Sequence, residues 1–323
     1  MNKLTKIGLS ALAGSLVAIS AHAGSMSVSG SASISFADSD TDNASATTAE
    51  GNQWTMGDSL TFSGGGELDN GMSVAVKYEY DDDEGDLNGG GSDQPGFDSH
   101  SVTLSSAEMG SITFAGHGGK TNMDNMDDKT PNAFEESWDG VSEADEETLV
   151  NGITGNNSFF YKAPSMGGLT LSVAYVPQGE TATPNGSYID FGVVAKPEAI
   201  DGLEVGVAFG ETEETTGTTV DEQAIYAKYT LGSISAGINM NESDTIDFTS
   251  FGISFAVTDD ISVSYSASES EIAGANDQEA SGVSASFTSG GMTIAGMINT
   301  VDNASFEAAN DTEGYEINFS FAF

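Results

Sequence analysis

From Met26 onward the chain alternates apolar and polar residues one by one. Met26, Val28, Gly30, Ala32, Ile34 and Phe36 interleave with serines at 27, 29, 31, 33 and 35. Successive side chains of a β-strand point to opposite faces, so a strand written this way has one apolar and one wet side. The pattern recurs along the chain. Leu60, Phe62, Gly64, Gly66 and Leu68 oppose Thr61, Ser63 and Glu67, and Val74, Val76, Tyr78 and Tyr80 oppose Ser73, Lys77 and Glu79. Later apolar rows are Leu169 to Tyr175, Ile189 to Ala195, Leu203 to Phe209, Phe251 to Val257 and Ile261 to Ala267, each at every second position. The last sets Tyr315, Ile317, Phe319, Phe321 and Phe323 against Glu316, Asn318 and Ser320. Such segments are about 10 residues long, which is what a tilted strand needs to cross the apolar part of a bilayer.

The connections are of two alternating kinds. Short turns fall at Asp69-Asn70-Gly71, Ala107 to Gly110, Ala163 to Gly168, Pro197 to Gly202, Leu231 to Ser233, Thr258 to Asp260 and Thr288 to Gly291. Between them lie longer acidic, Gly-rich loops such as Asp38 to Gln53, Asp81 to Phe97, Glu211 to Asp221 and Glu269 to Asp277. This rhythm predicts 16 strands, with cores near 25–37, 54–68, 72–80, 98–106, 111–117, 157–163, 168–176, 187–196, 203–210, 222–231, 233–240, 247–257, 260–268, 279–287, 292–300 and 312–323. The apolar row is short or interrupted in the fourth, tenth and fourteenth. An even count puts both ends of the chain on one rim, where they can meet and close a barrel.

Which face meets water decides the fold. In a soluble sandwich the apolar face turns inward; a barrel of this many strands is too wide for side chains to fill, so its interior is wet and its apolar face looks outward. Here one set is Ser, Thr, Asn, Glu and Lys, and the other mixes Leu, Val, Ile, Ala and Gly with aromatics toward the strand ends, as lipid bounded by aromatic girdles requires. The expected fold is an all-β, 16-stranded antiparallel transmembrane β-barrel with short periplasmic turns and long extracellular loops. A secreted acidic β-sandwich adhesin accounts for the alternation, but for neither the short-long rhythm nor the aromatic last strand.

Composition agrees with a single large all-β domain: 38% of the residues are hydrophobic, and 40 Gly, 6 Pro and no Cys are present. Without cysteine there is no disulfide framework or thiolate metal site. The formal charge of −42 comes from 8 Lys+Arg, all lysines, against 50 Asp+Glu. No basic patch exists to neutralise phosphates, which excludes nucleic acid as a partner. Residues 1–23 read as a signal peptide, with Lys3 and Lys6 before an apolar stretch from Ile7 to Ile19 and Ala21-His22-Ala23 as the cleavage site. The barrel then occupies 24–323. No other run approaches the roughly 20 apolar residues of a spanning helix.

Three features carry a family resemblance: the turn Glu67-Leu68-Asp69-Asn70-Gly71-Met72; the block Asn157-Ser158-Phe159-Phe160-Tyr161-Lys162-Ala163-Pro164 followed by Gly167-Gly168-Leu169; and the closing strand ending in Phe323. With them the chain resembles the general trimeric porins of Gram-negative bacteria, especially the alphaproteobacterial branch, over essentially all of its mature length. The resemblance implies an outer-membrane, water-filled channel for passive diffusion of small hydrophilic solutes and ions, not an enzyme. It also implies a homotrimer, a terminal Phe323 read by the barrel assembly machinery, and a long third loop folded into the lumen to narrow the pore. The longest gap, 118–156, follows the fifth strand, where that loop belongs. It carries Asp124, Asp127, Asp128, Glu135, Glu136, Asp139, Glu143, Asp145, Glu146 and Glu147 against Lys120 and Lys129. A loop this long in a compact domain is more often functional than idle; the bland alternative is a solvated acidic loop outside the barrel.

Porins of this family set basic residues, mostly arginines, across from the acidic third loop, and this chain has no arginine. The basic candidates on lumen-facing positions are Lys77, Lys162 and Lys228, with Lys196 too close to a strand end. The expected constriction is therefore Asp124, Asp127, Asp128, Glu135, Glu136 and Asp139 of the loop with Lys77 and Lys162 of the wall. A net negative constriction attracts cations and repels anions.

Other chemistry is thin. Asp38-Ser39-Asp40-Thr41-Asp42 opens like a calcium loop, yet Asn43 stands at the sixth position and Ala49 at the twelfth, where the bidentate Glu belongs. That stretch and Asp81-Asp82-Asp83-Glu84 would at most collect divalent cations loosely; no cofactor is expected. His100 and His117 would bind metal only if brought together. No nucleophile elbow, phosphate loop or zinc helix is present. The rival within the channel class is a solute-selective pore with an internal site, for which Phe160, Tyr226, Phe134 and Trp138 are the aromatic candidates.

Overall fold

The computed structural model describes residues 25–41, 53–81, 97–139, 150, 152–153, 157–177, 185–214 and 217–323; the signal peptide expected at 1–23 lies outside them. Wherever the alternation runs, the backbone is extended. The strands are β1 (Ser25–Thr41), β2 (Gln53–Glu67), β3 (Ser73–Asp81), β4 (Ser99–Ser106), β5 (Gly110–His117), β6 (Ser158–Lys162), β7 (Leu169–Val176), β8 (Asn185–Ala195), β9 (Leu203–Glu214), β10 (Thr219–Leu231), β11 (Ile234–Ser243), β12 (Ile246–Ala256), β13 (Ile261–Ile272), β14 (Gln278–Ser289), β15 (Met292–Asp302) and β16 (Thr312–Ala322). Each pairs antiparallel with its sequence neighbours, and β1 pairs with β16, which closes the ring. At the seam the Phe323 N–H donates to Gly30 O at 2.9 Å and the Gly30 N–H to Phe323 O at 2.8 Å. Closure leaves no strand edge unpaired, the condition for a sheet to sit in hydrocarbon.

The two faces are inverted relative to a soluble protein. Phe191 and Phe209 on the outside are 53% exposed, whereas Ser266 on the inside is 3% exposed. Ile189, Ile238, Phe251, Val263 and Tyr265 continue the outer apolar band, far more contiguous apolar surface than a soluble monomer carries. Aromatic rings gather at both edges of the band. Near the long-loop rim Phe36 packs on Trp54 at 4.9 Å and Tyr78 on Phe97 at 5.3 Å. Near the short-turn rim the Tyr161 hydroxyl donates to Met109 O at 2.8 Å.

The short turns are tight enough to need glycine. Gly110 and Gly168 lie at φ +78° and +81°, and a Cβ there would meet the carbonyl oxygens of Lys162 at 2.1 Å and Lys196 at 2.2 Å on the neighbouring strands. Strand ends differ from the sequence reading on the other rim. Strand continues to Thr41, Glu214 and Ile272, and β10 begins at Thr219, inside stretches expected to be loop. Above the bilayer both faces of a strand are wet, so the apolar row that marks a strand fades while its hydrogen-bond ladder goes on.

Candidate functional site

The segment after β5 leaves the sheet at Gly118, and its stretch 118–139 lies against inward-facing side chains of the wall. Its first turn is held by Asp190 of β8, which is fully buried. The Asp190 carboxylate accepts from Asn122 N–H at 2.6 Å, Asn122 Nδ2 at 2.7 Å, Met123 N–H at 3.0 Å and the Tyr188 hydroxyl at 3.2 Å. Further along, Asn239 and Asn241 of β11 donate to Asp127 O at 2.9 and 2.8 Å. Ser264 and Ser266 of β13 accept from the Ala133 and Ser137 N–H groups at 2.9 and 2.8 Å. Ser284 of β14 accepts from the Phe134 N–H at 3.2 Å, and Asn299 of β15 donates to Ser137 O at 3.0 Å. These bonds satisfy backbone groups that a segment without regular structure would otherwise bury unpaired.

Apolar contacts complete the seat. Met123 and Met126 pack with Val150, Val176, Tyr188, Ala208, Ala224 and Tyr226, and Trp138 packs with Phe248, Ala280, Val301 and Ala304. Trp138 meets Phe248 edge-on at 5.4 Å. Glycines on inward positions make room: a Cβ at Gly192 would strike Asn122, one at Gly237 would come within 2.9 Å of Pro131, and one at Gly252 within 2.8 Å of Thr130. Of this footprint the sequence offers Tyr226 and Trp138 as inward aromatics and little else. Its trace there is a lumen-side row that lapses from polar to small apolar residues on β7 to β10, at Ala174, Val176, Ala208 and Ala224.

The candidate carboxylates are not equivalent. Asp124 pairs with Lys120 at 3.1 Å and is nearly buried. Burial, with the Asp124 and Asp128 charges beside it, pushes Asp127 up to about 7. Glu136 is 8% exposed; burial, then the charge of Asp128 and a hydrogen bond to it, pushes it up to about 9. Asp128 is also raised by burial, though the hydrogen bond it accepts from Glu136 and the nearby Lys129 and Lys228 hold it down. Burial beside Asp128 therefore favours the acid form of Glu136, and Asn132 Nδ2 donates to that same carboxyl. Asp139 is exposed and Glu135 half-buried.

The lysines divide between two walls. On the loop's own side, Lys162 stands across the β6–β7 ladder from Ser172, whose hydroxyl bonds Asn122. Lys228 acts on both Asp128 and Glu204, and Lys196 pairs with Glu204 at 2.8 Å. Lys77 lies on β3, eight strands from β11 in a ring of sixteen and so diametrically across the barrel from it. There it pairs with Glu79 at 2.8 Å on a wall otherwise rich in hydroxyls, such as Thr103 and Thr113, joined at 2.8 Å. The structure thus brings Lys162 beside the loop and leaves Lys77 on the far wall, facing it.

Trp138 and Tyr226 are 4% and 2% exposed, spent in packing the segment rather than lining a track. His100 and His117 are cross-strand partners at a bulge between β4 and β5; among the described residues no group of three or more His, Asp or Glu side chains is placed to hold a metal. Asp38 to Thr41 belong to β1, so their carboxylates point the same way along a strand instead of circling a cation; of Asp81 to Glu84 only Asp81 is described. Carboxylates converge instead at the long-loop rim, where a groove of about 930 Å³ is lined by Asp221, Glu242, Asp244, Asp247, Glu271 and Asp277.

A barrel of this strand number recurs among known proteins. The chain is similar to the anion-selective porin from Comamonas acidovorans, with a TM-score of 0.68 at 17% identity over 93% of this chain and 100% of that one. It is similar to a triple mutant of Rhodopseudomonas blastica porin, at 0.68 and 15% over 92% and 100%. Salmonella typhi OmpF in complex with daunomycin superposes at 0.69, with 13% identity over 94% and 99%. No curated protein sequence matches significantly. The family model described as Gram-negative porin matches residues 8–323. The chain therefore belongs to the Gram-negative porins, β-barrel channels of the outer membrane that are not enzymes.

Proposed function

We propose that this porin is a general-diffusion pore with a preference for cations, in which 118–156 is the constriction loop. The observation that carries the reading is the charge balance across the lumen. An acidic segment seated on β7, β8 and β11–β15 faces a wall, β1–β5, whose only lysine is Lys77. Asp124, Glu135 and Asp139 supply the negative field, Asp127, Asp128 and Glu136 add to it as they ionise, and Lys162 and Lys228 temper it from the loop's own side. Field lines concentrate in a narrow water-filled bore with low-dielectric walls, so an excess of one sign is felt by every passing ion. The burial of Trp138 and Tyr226 favours an unspecific pore over a solute-selective one. In this reading the chain assembles as a homotrimer, its long loops face outward from the cell, and Phe323 guides barrel assembly.

Reversal potentials across planar bilayers under a KCl gradient test the proposal. Cation preference is the expected result, and anion preference, the property named for the Comamonas relative, overturns it.

A further inference from the structure

The one basic residue on the wall facing the loop is already engaged. Lys77 and Glu79 are two apart on β3, so both point into the lumen. The Lys77 ammonium lies 2.8 Å from Glu79 Oε2, which also accepts from the Ser99 hydroxyl at 2.9 Å. Oε1 accepts from Ser59 at 3.3 Å and Thr61 at 3.5 Å. Four donors from three strands thus fix this carboxylate on the wall. The lysine is drawn along the strand toward it, instead of extending across the bore.

We infer that Glu79 is a selectivity-determining residue: by holding Lys77 against the wall it cancels the one lysine charge there, so that no free ammonium faces the loop from across the bore. The inference rests on the reading of 118–156 as the constriction loop. Without Glu79, Lys77 becomes a free ammonium facing the acidic segment, the transverse arrangement this pore otherwise lacks. An unpaired charge about 7 Å from a permeating ion in water changes that ion's local concentration about threefold.

A charge cycle measured in planar bilayers tests it. Glu79→Gln is expected to lower the cation-to-anion permeability ratio about sevenfold, because the released charge depletes cations and enriches anions by the same factor. Lys77→Gln raises it by less, because Glu79 stays pinned by its three hydroxyl donors. The double variant returns to the wild-type ratio although the single shifts are unequal. If Glu79→Gln does not assemble, the double variant against Lys77→Gln supplies the comparison, with the higher ratio expected in the single variant. An unchanged ratio in Glu79→Gln overturns the inference, and so does a double variant that keeps the Glu79→Gln shift, since Lys77 would then not be the charge released. The cycle is read as differences, so an anion-preferring wild type would sink the proposed function while leaving the role of Glu79 to be judged separately.

Discussion

Asp190 and Glu136 show how single carboxyls set the position of the loop. Asp190 has no solvent and depends on the donors of the Asn122 turn, so Asp190→Ala leaves buried N–H groups unpaired. Seating of the loop should weaken by about 3 kcal/mol, read as faster proteolysis within 118–139 and noisier single-channel current from an intact barrel. Glu136 and Asp127 work in the other direction. Their acid forms are favoured in the seated loop, so seating is fully supported below the ordinary carboxylate range and weakens as pH rises through about 7 for Asp127 and about 9 for Glu136. Protease sensitivity of the loop should therefore climb between about pH 4 and about pH 9, and Glu136→Gln, which stays neutral, should flatten the upper part of that rise. Ionisation of Asp127 near pH 7 should also increase cation preference between pH 5 and pH 8. The sequence placed these acids in the loop but could not rank them: Asp139 and Glu136 look alike in a list of residues, and only burial separates an exposed carboxylate from a protonated one.

At the scale of elements, strand existence was legible throughout because lipid outside and water inside impose a period of two on every crossing. Even the fourth, tenth and fourteenth strands, with weak apolar rows, form where expected, because each is hydrogen-bonded on both sides by neighbours that are strongly patterned. The seat of the loop was not legible. It is assembled from Gly192, Gly237, Gly252, Val176, Ala208 and Phe248 on different strands, each of which reads locally as a lapse in the pattern. The glycines give a direct check. Gly252→Val puts methyls where Thr130 and Pro131 lie, and should push the loop toward the bore and lower conductance by about half or more. Heat-modifiable migration of the barrel on gels should be unchanged, since the ladder through β12 needs no glycine at an extended position.

For the whole molecule the decisive quantity is the imbalance of 50 acids against 8 bases, much of it gathered at the long-loop rim and along 118–156. A field of this kind is screened by salt, with a Debye length near 10 Å at about 0.1 M and 3 Å at about 1 M. Cation preference should thus be several-fold stronger at 0.1 M than at 1 M KCl; a ratio independent of salt would mean that pore width alone governs passage. The sequence by itself determined the barrel, its strand number and its wet interior, because each strand carries the same local signature of two solvents and the turns between them are short. The tertiary structure decided which wall the loop leans on, which carboxyls keep their protons, and that Lys77 faces the loop already paired with Glu79. Those properties depend on residues brought together across the ring, and distance across a closed barrel has no counterpart in distance along the chain.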